Sequence, residues 1–235
     1  MAMNAKLGSR DSKMTEQQWQ TSDRPTEMLA YLRDWASPRK LRLFGVACCY
    51  RIAHFMSSAV SPNTVEIAER FADGLVSAED LRRAHEAARA EALRIDAAAD
   101  GADAAMDVAL ADAADAAVFS SGHVVNAIYE RMFMDRQVQP GTRADYQELA
   151  FHAQLLRDIF GNPFRPVSIL PAWRTPQVLS QAEAINAEKA FERLPMLEDA
   201  LVHAGCADAD VLSHCRGPGP HVRGCWVIDA LLGKG

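Results

Sequence analysis

Apolar residues recur at spacings of three and four along most of the chain, the period of helices that bury one face. Leu41, Phe44, Cys48, Ile52 and Phe55 form one such stripe. Ser37 is placed to cap that helix, and Pro38 occupies a first-turn position where its missing N–H costs nothing. A short amphipathic helix is expected before it, over 25–35, and another after it, over 63–73, closed by Gly74 in a left-handed cap. Ser77-Ala-Glu-Asp80 resembles a capping box in which Asp replaces the preferred Glu or Gln. An alanine-rich stretch follows to about Arg131, expected as two helices parted near Asp100-Gly101.

A helix over 144–160 is stopped by Gly161. Prolines 163, 166 and 171 make NPFRPVSILPAW an extended connector, pinned by Phe164, Ile169, Leu170 and Trp173. Further helices are predicted from Thr175-Pro176, over 194–204 before Gly205, and from the Asp208 cap to Cys215. A last apolar helix runs from Pro220 to Leu232. Alternating β-branched runs and hairpin turns between them are almost absent.

The prediction is an all-α multi-helix bundle with alanine-rich central helices, a proline-rich connector and a C-terminal helical subdomain packed on the bundle. Its organisation is a disordered leader or appended segment at 1–13, the bundle at 14–160, the connector at 161–175 and the subdomain at 176–235, with one domain overall as the alternative. The 235 residues suffice for a real core. A net charge of −6 provides no global basic field, so nucleic acid is not an expected partner. No apolar run approaches the ~18 to 20 residues of a membrane span. The N-terminal stretch lacks the apolar region of a secretory signal, and five cysteines, an odd number, fit free thiols in a reducing cytoplasm.

Candidate chemistry concentrates in HCRGPGPHVRGCW, residues 214–226. Cys206, Cys215, His221 and Cys225 offer a zinc-type donor set, although their spacings match no standard finger. Cys225 or Cys215 paired with His214 or His221 would suit nucleophilic chemistry. A Gly/Pro loop beside Arg216 and Arg223 would suit a phosphate or carboxylate. The favoured reading is structural: His221, Cys225, Ile228 and Leu232 follow the helical period and would simply face the core.

Six aspartates, at 96, 100, 103, 107, 112 and 115, are the only charges between Ile95 and Val118. Asp96, Asp100, Asp103 and Asp107 share one helical face, expected to be solvated or to meet a protein partner. Four cations and no acid lie between Arg39 and Arg51, an internal counterpart for that face. Cys48 is expected in the core, and His85, His123, His152 and His203 form no motif.

Three segments carry a resemblance: KLRLFGVACCYRI (40–52), LLRDIFGNPFRPV (155–167) and HCRGPGPHVRGCWVIDALLGK (214–234). With the start MTEQQW, Met14 to Trp19, they resemble a large uncharacterised bacterial family of alanine-rich helical proteins, over nearly the whole chain from Met14. The resemblance implies a helical fold and no assigned activity. Members of that family look arginine-rich where this chain has aspartates, which implies that the alanine helices set partner choice rather than form a shared catalytic surface. The function expected from the sequence is therefore a non-enzymatic protein-interaction module. The alternative is a small metal-dependent or Cys/His enzyme, or an anion-binding protein, built on the Cys206–Cys225 region, with zinc as the candidate cofactor.

Overall fold

The computed structural model describes residues 14–95, 101–134 and 143–234. Among them are twelve α-helices and no strand. These are α1 (Glu16–Thr21), α2 (Pro25–Leu32), α3 (Pro38–Arg51), α4 (Val60–Ala72), α5 (Ala78–Ala92) and α6 (Ala102–Val108). They continue as α7 (Ala113–Met134), α8 (Arg143–Phe160), α9 (Pro176–Glu188), α10 (Leu194–His203), α11 (Ala209–Arg216) and α12 (Trp226–Leu232). No helix among the described residues is long and apolar enough to cross a membrane. The expected leader at 1–13, and Asp96 and Asp100, lie outside the described residues.

Buried apolar side chains fall into two clusters. One runs from Trp19 to Ile159, with the Leu41, Phe44, Cys48 and Ile52 stripe of α3 at its centre. The other runs from Trp173 to Leu231 and holds α9 to α12. Gly45 lets α3 and α7 approach so closely that a Cβ there would lie 2.7 Å from the Ser120 hydroxyl oxygen. Between the clusters the connector is partly pinned: Phe164 stacks on Tyr31 at 5.3 Å and Trp173 is buried, whereas Leu170 is exposed rather than an anchor.

A buried ionic seam also joins the two. Arg39 at the start of α3 bridges Asp73 at 2.8 Å and Asp229 of α12 at 2.6 Å. Arg223 lies 2.9 Å from Asp73, and Lys189 reaches Glu69 at 2.7 Å. Truncating one member of such a seam strands the others, a loss of roughly 3 to 5 kcal/mol for a buried pair.

Local signals place most helix ends. The Ser77–Asp80 capping box forms, Thr175 and Asp208 cap their helices, and Gly74, Gly161 and Gly205 adopt positive φ. Ser37 stands at its N-cap position, but its side chain makes no capping bond. Among the described residues α5 ends at Ala92 and α6 starts from the left-handed Gly101, but the chain also leaves the helix after Val108, where Arg42 donates to the carbonyls of Val108 at 2.7 Å and Ala111 at 3.1 Å. Asp112 then accepts the Asp115 N–H at 2.8 Å and restarts the helix.

Of the expected acidic face only Asp103 and Asp107 are described, and Asp107 is buried, 2.7 Å from the ring of His123. That hydrogen bond raises the His123 pKa above its ordinary value. Asp103 is half-buried and Asp115 pairs with Arg33.

Candidate metal centre

The last helix begins at Trp226, not Pro220, so residues 217–225 are a loop. Gly219 and Gly224 take φ of +81° and +96°, which no helix accommodates. A Cβ on Gly224 would sit 3.1 Å from Leu43 Cδ1, so this glycine lets the loop press against α3. The helical stripe expected through His221 and Cys225 therefore does not exist. The loop instead turns both side chains towards α8.

There four donors meet: one ligand atom each of Asp158, His214, His221 and Cys225 lie within 4.8 Å of one another. Asp158 comes from the last turn of α8, His214 from α11, His221 from the loop, and Cys225 from the N-cap of α12. The nearest pairs are His221 Nδ1 to Asp158 Oδ1 at 2.7 Å, His214 Nε2 to Cys225 Sγ at 3.1 Å and His214 Nε2 to Asp158 Oδ1 at 3.2 Å. Tetrahedral zinc with bonds of ~2.0 to 2.3 Å spaces its donors by roughly 3.3 to 3.8 Å, so small movements would admit an ion.

Hydrogen bonds within the chain orient two of these donors. The second oxygen of Asp158 accepts the Val222 N–H at 2.9 Å, which fixes the carboxylate. His221 donates from Nε2 to the Gly217 carbonyl at 3.1 Å, the kind of outer contact that orients a ligating imidazole. Cys225 is fully buried, which pushes its thiol pKa up, with Asp158 adding to the rise. The N–H groups of Ile228 and Val227 at the start of α12 act in the opposite sense and favour the thiolate. Burial opposes protonation of His221, but Asp158 and the Gly217 carbonyl outweigh it and raise its pKa. A thiolate, two imidazoles and one carboxylate make a mixed donor set of the zinc class.

The donor side chains of Asp158, His214 and His221 are 3, 15 and 11% exposed. All three line a cleft of about 220 Å³ that also includes Gln154 and Arg157, while Cys225 is fully buried.

Of the four cysteine and histidine donors expected, the structure brings His221 and Cys225 together and leaves out Cys206 and Cys215. Both of these are packed in the second apolar cluster, where burial raises the Cys215 thiol to about 12. Arg216 and Arg223, expected as an anion pair, are taken by carboxylates of the chain itself. Arg216 pairs with Glu198 at 2.6 Å, and Arg223 with Asp73. Asp158 was missed as a donor; its only sequence signal was a single acid between Leu156 and Ile159 near the end of an apolar helix face.

The segments 40–52, 155–167 and 214–234 are in contact beside this site. Lys40 of the first donates to the Ile159 carbonyl of the second at 2.8 Å, and Leu43 packs under Gly224 of the third. No family model, curated protein or solved structure matches the chain.

Proposed function

We propose that this is a metal-binding helical protein in which one zinc-class ion fastens the C-terminal helices to the bundle. The observation that carries this reading is the convergence of Asp158, His214, His221 and Cys225 from separate elements. The ion would bridge α8 of the first cluster to α11 and α12 of the second, adding to the hydrogen bonds by which the loop already holds Asp158. Metal binding to a folded site then adds directly to folding free energy. An interaction module centred on the acidic face has less support, because Asp107 is buried with His123.

The test is elemental analysis of metal-loaded protein alongside thermal unfolding with and without a chelator. The expected result is one zinc per chain, lost in Asp158→Ala and Cys225→Ser, and a chelator-sensitive Tm. Protein that takes up no zinc, cobalt, nickel or iron, with a Tm indifferent to chelator, would overturn the proposal.

A further inference from the structure

Three of the four donors can turn a lone pair to an ion while keeping their outer contacts; His214 cannot. An indole nitrogen only donates, and Trp226 Nε1 lies 3.0 Å from His214 Nδ1. His214 must therefore accept at Nδ1 and carry its hydrogen on Nε2, the nitrogen that faces Asp158 and Cys225. A neutral imidazole that ligates through Nε2 needs its hydrogen on Nδ1, where it would meet the indole N–H head-on.

Trp226 is not free to yield. Its ring lies across Gly161, where a Cβ would come within 3.1 to 3.3 Å of three ring carbons, and Gly161 itself holds φ +64°. The Gly161 carbonyl is in turn fixed by the indole of Trp19 at 2.9 Å. The hydrogen-bond direction at His214 is thus set by the packing of Trp226 on Gly161, just past the end of α8.

From this we infer that the centre is a three-ligand site, Asp158, His221 and Cys225, whose fourth position is left to a small exogenous anion or water. The inference rests on the metal-binding reading above. His214 stands next to that position, its Nε2–H against Cys225 Sγ at 3.1 Å and Asp158 Oδ1 at 3.2 Å, and would hydrogen-bond a bound anion rather than displace it.

The cleft supports the same assignment. It opens onto the Asp158, His214 and His221 side of the donor set, so a fourth ligand has a path in. Arg157 lines it and donates to the carbonyls of Trp19 and Ser22, with no carboxylate bridging it among the described residues. Its charge is left to favour an anion. Three protein ligands and one open position distinguish sites that bind and polarise a ligand from closed structural ones.

Cobalt-loaded protein tests this by visible absorption, with azide as the probe. The expected result is that His214→Gln keeps one cobalt per chain with an affinity loss below about tenfold, the lower edge for outer-contact changes. His221→Ala and Asp158→Ala should lose cobalt. Azide should shift the cobalt bands of the wild type, and more weakly those of Arg157→Gln.

Trp226→Phe removes the indole N–H while keeping the ring. It should let His214 turn into the fourth position, tighten cobalt binding and abolish the azide shift. Loss of cobalt from His214→Gln as complete as from His221→Ala, or wild-type bands that ignore azide, would show a closed four-ligand site and overturn the inference while leaving metal binding intact. Wild-type protein that takes up no cobalt overturns the metal reading and this inference together.

Discussion

Helix α8 carries two histidine–carboxylate clusters, and they differ in kind. Near its start, Glu148 and His152 stand one turn apart. His152 is 2.9 Å from the Ser121 hydroxyl and 3.2 Å from Glu148, while Arg51 grips both Glu148 oxygens at 3.2 and 2.9 Å. Ten residues on, about 15 Å along the axis, Asp158 meets His214, His221 and Cys225. A serine, histidine and acid in contact can look catalytic. Here that trio is sealed in the core, with His152 fully buried and a guanidinium already occupying the carboxylate. Among the described residues no lysine or arginine bridges the carboxylate of the second cluster, which contains a sulfur and lines a cleft. Donors in proximity are common; what distinguishes a site is that their free lone pairs face one point that something can reach.

The largest expected effect separates the two clusters by metal. Zinc at a thousandfold excess over its Kd should stabilise the wild type by about 4 kcal/mol, and Cys225→Ser should forfeit that gain, whereas His152→Ala should keep it. Calorimetry with and without zinc on the three proteins measures it, and a zinc response lost equally in His152→Ala would erase the distinction.

Next in size is His152→Ala itself. It opens a cavity in the core and strands the Ser121 hydroxyl, which should lower stability by about 3 kcal/mol in urea unfolding without changing metal content.

The third effect is acid sensitivity. Burial alone would raise the Glu148 pKa, but hydrogen bonds from His152 and Arg51 hold it at about 2, below the usual 4.5. A depressed carboxylate contributes stability that is complete above pH 4.5 and lost as pH falls towards 2. That contribution is about 2 to 3 kcal/mol. Glu148→Gln should flatten this acid limb of a stability profile recorded without metal, and an unchanged limb would show that another group sets it.

The smallest effect is Gly161→Ala. Left-handed backbone at a residue with a Cβ costs about 1 to 2 kcal/mol, and the methyl group would also push on Trp226. Metal should remain bound, but cobalt bands should change, because the indole N–H is displaced from His214. Identical bands would mean that packing at Gly161 does not reach the site.

How far the site was legible follows from the range of each signal. His221 and Cys225 were visible as donors because residue type alone marks them, and His214 was visible as their neighbour. Asp158 lies 56 residues before His214, and nothing local separates it from an ordinary acid on an amphipathic helix. Cys206 and Cys215 carry the same chemistry as Cys225, yet they belong to the second apolar cluster. Only burial against particular neighbours distinguishes the three thiols.

Helix caps show the same division. Asp208, Thr175 and the Ser77–Asp80 box act within three residues of themselves, so sequence located them. The break at 109–112 depends on Arg42, far along the chain on another helix, and went unseen.

The sequence by itself determined the all-α architecture, most helix ends and the stretch where chemistry would concentrate, because periodicity, capping and residue type act over a turn or two. Tertiary structure decided which donors meet. It kept residues 220–225 out of the expected helix, since two positive-φ glycines and the contact with Leu43 outweigh a four-residue apolar spacing. It also set the hydrogen-bond direction of His214 through Trp226 and Gly161. That choice is made by packing between segments, and no single segment contains it.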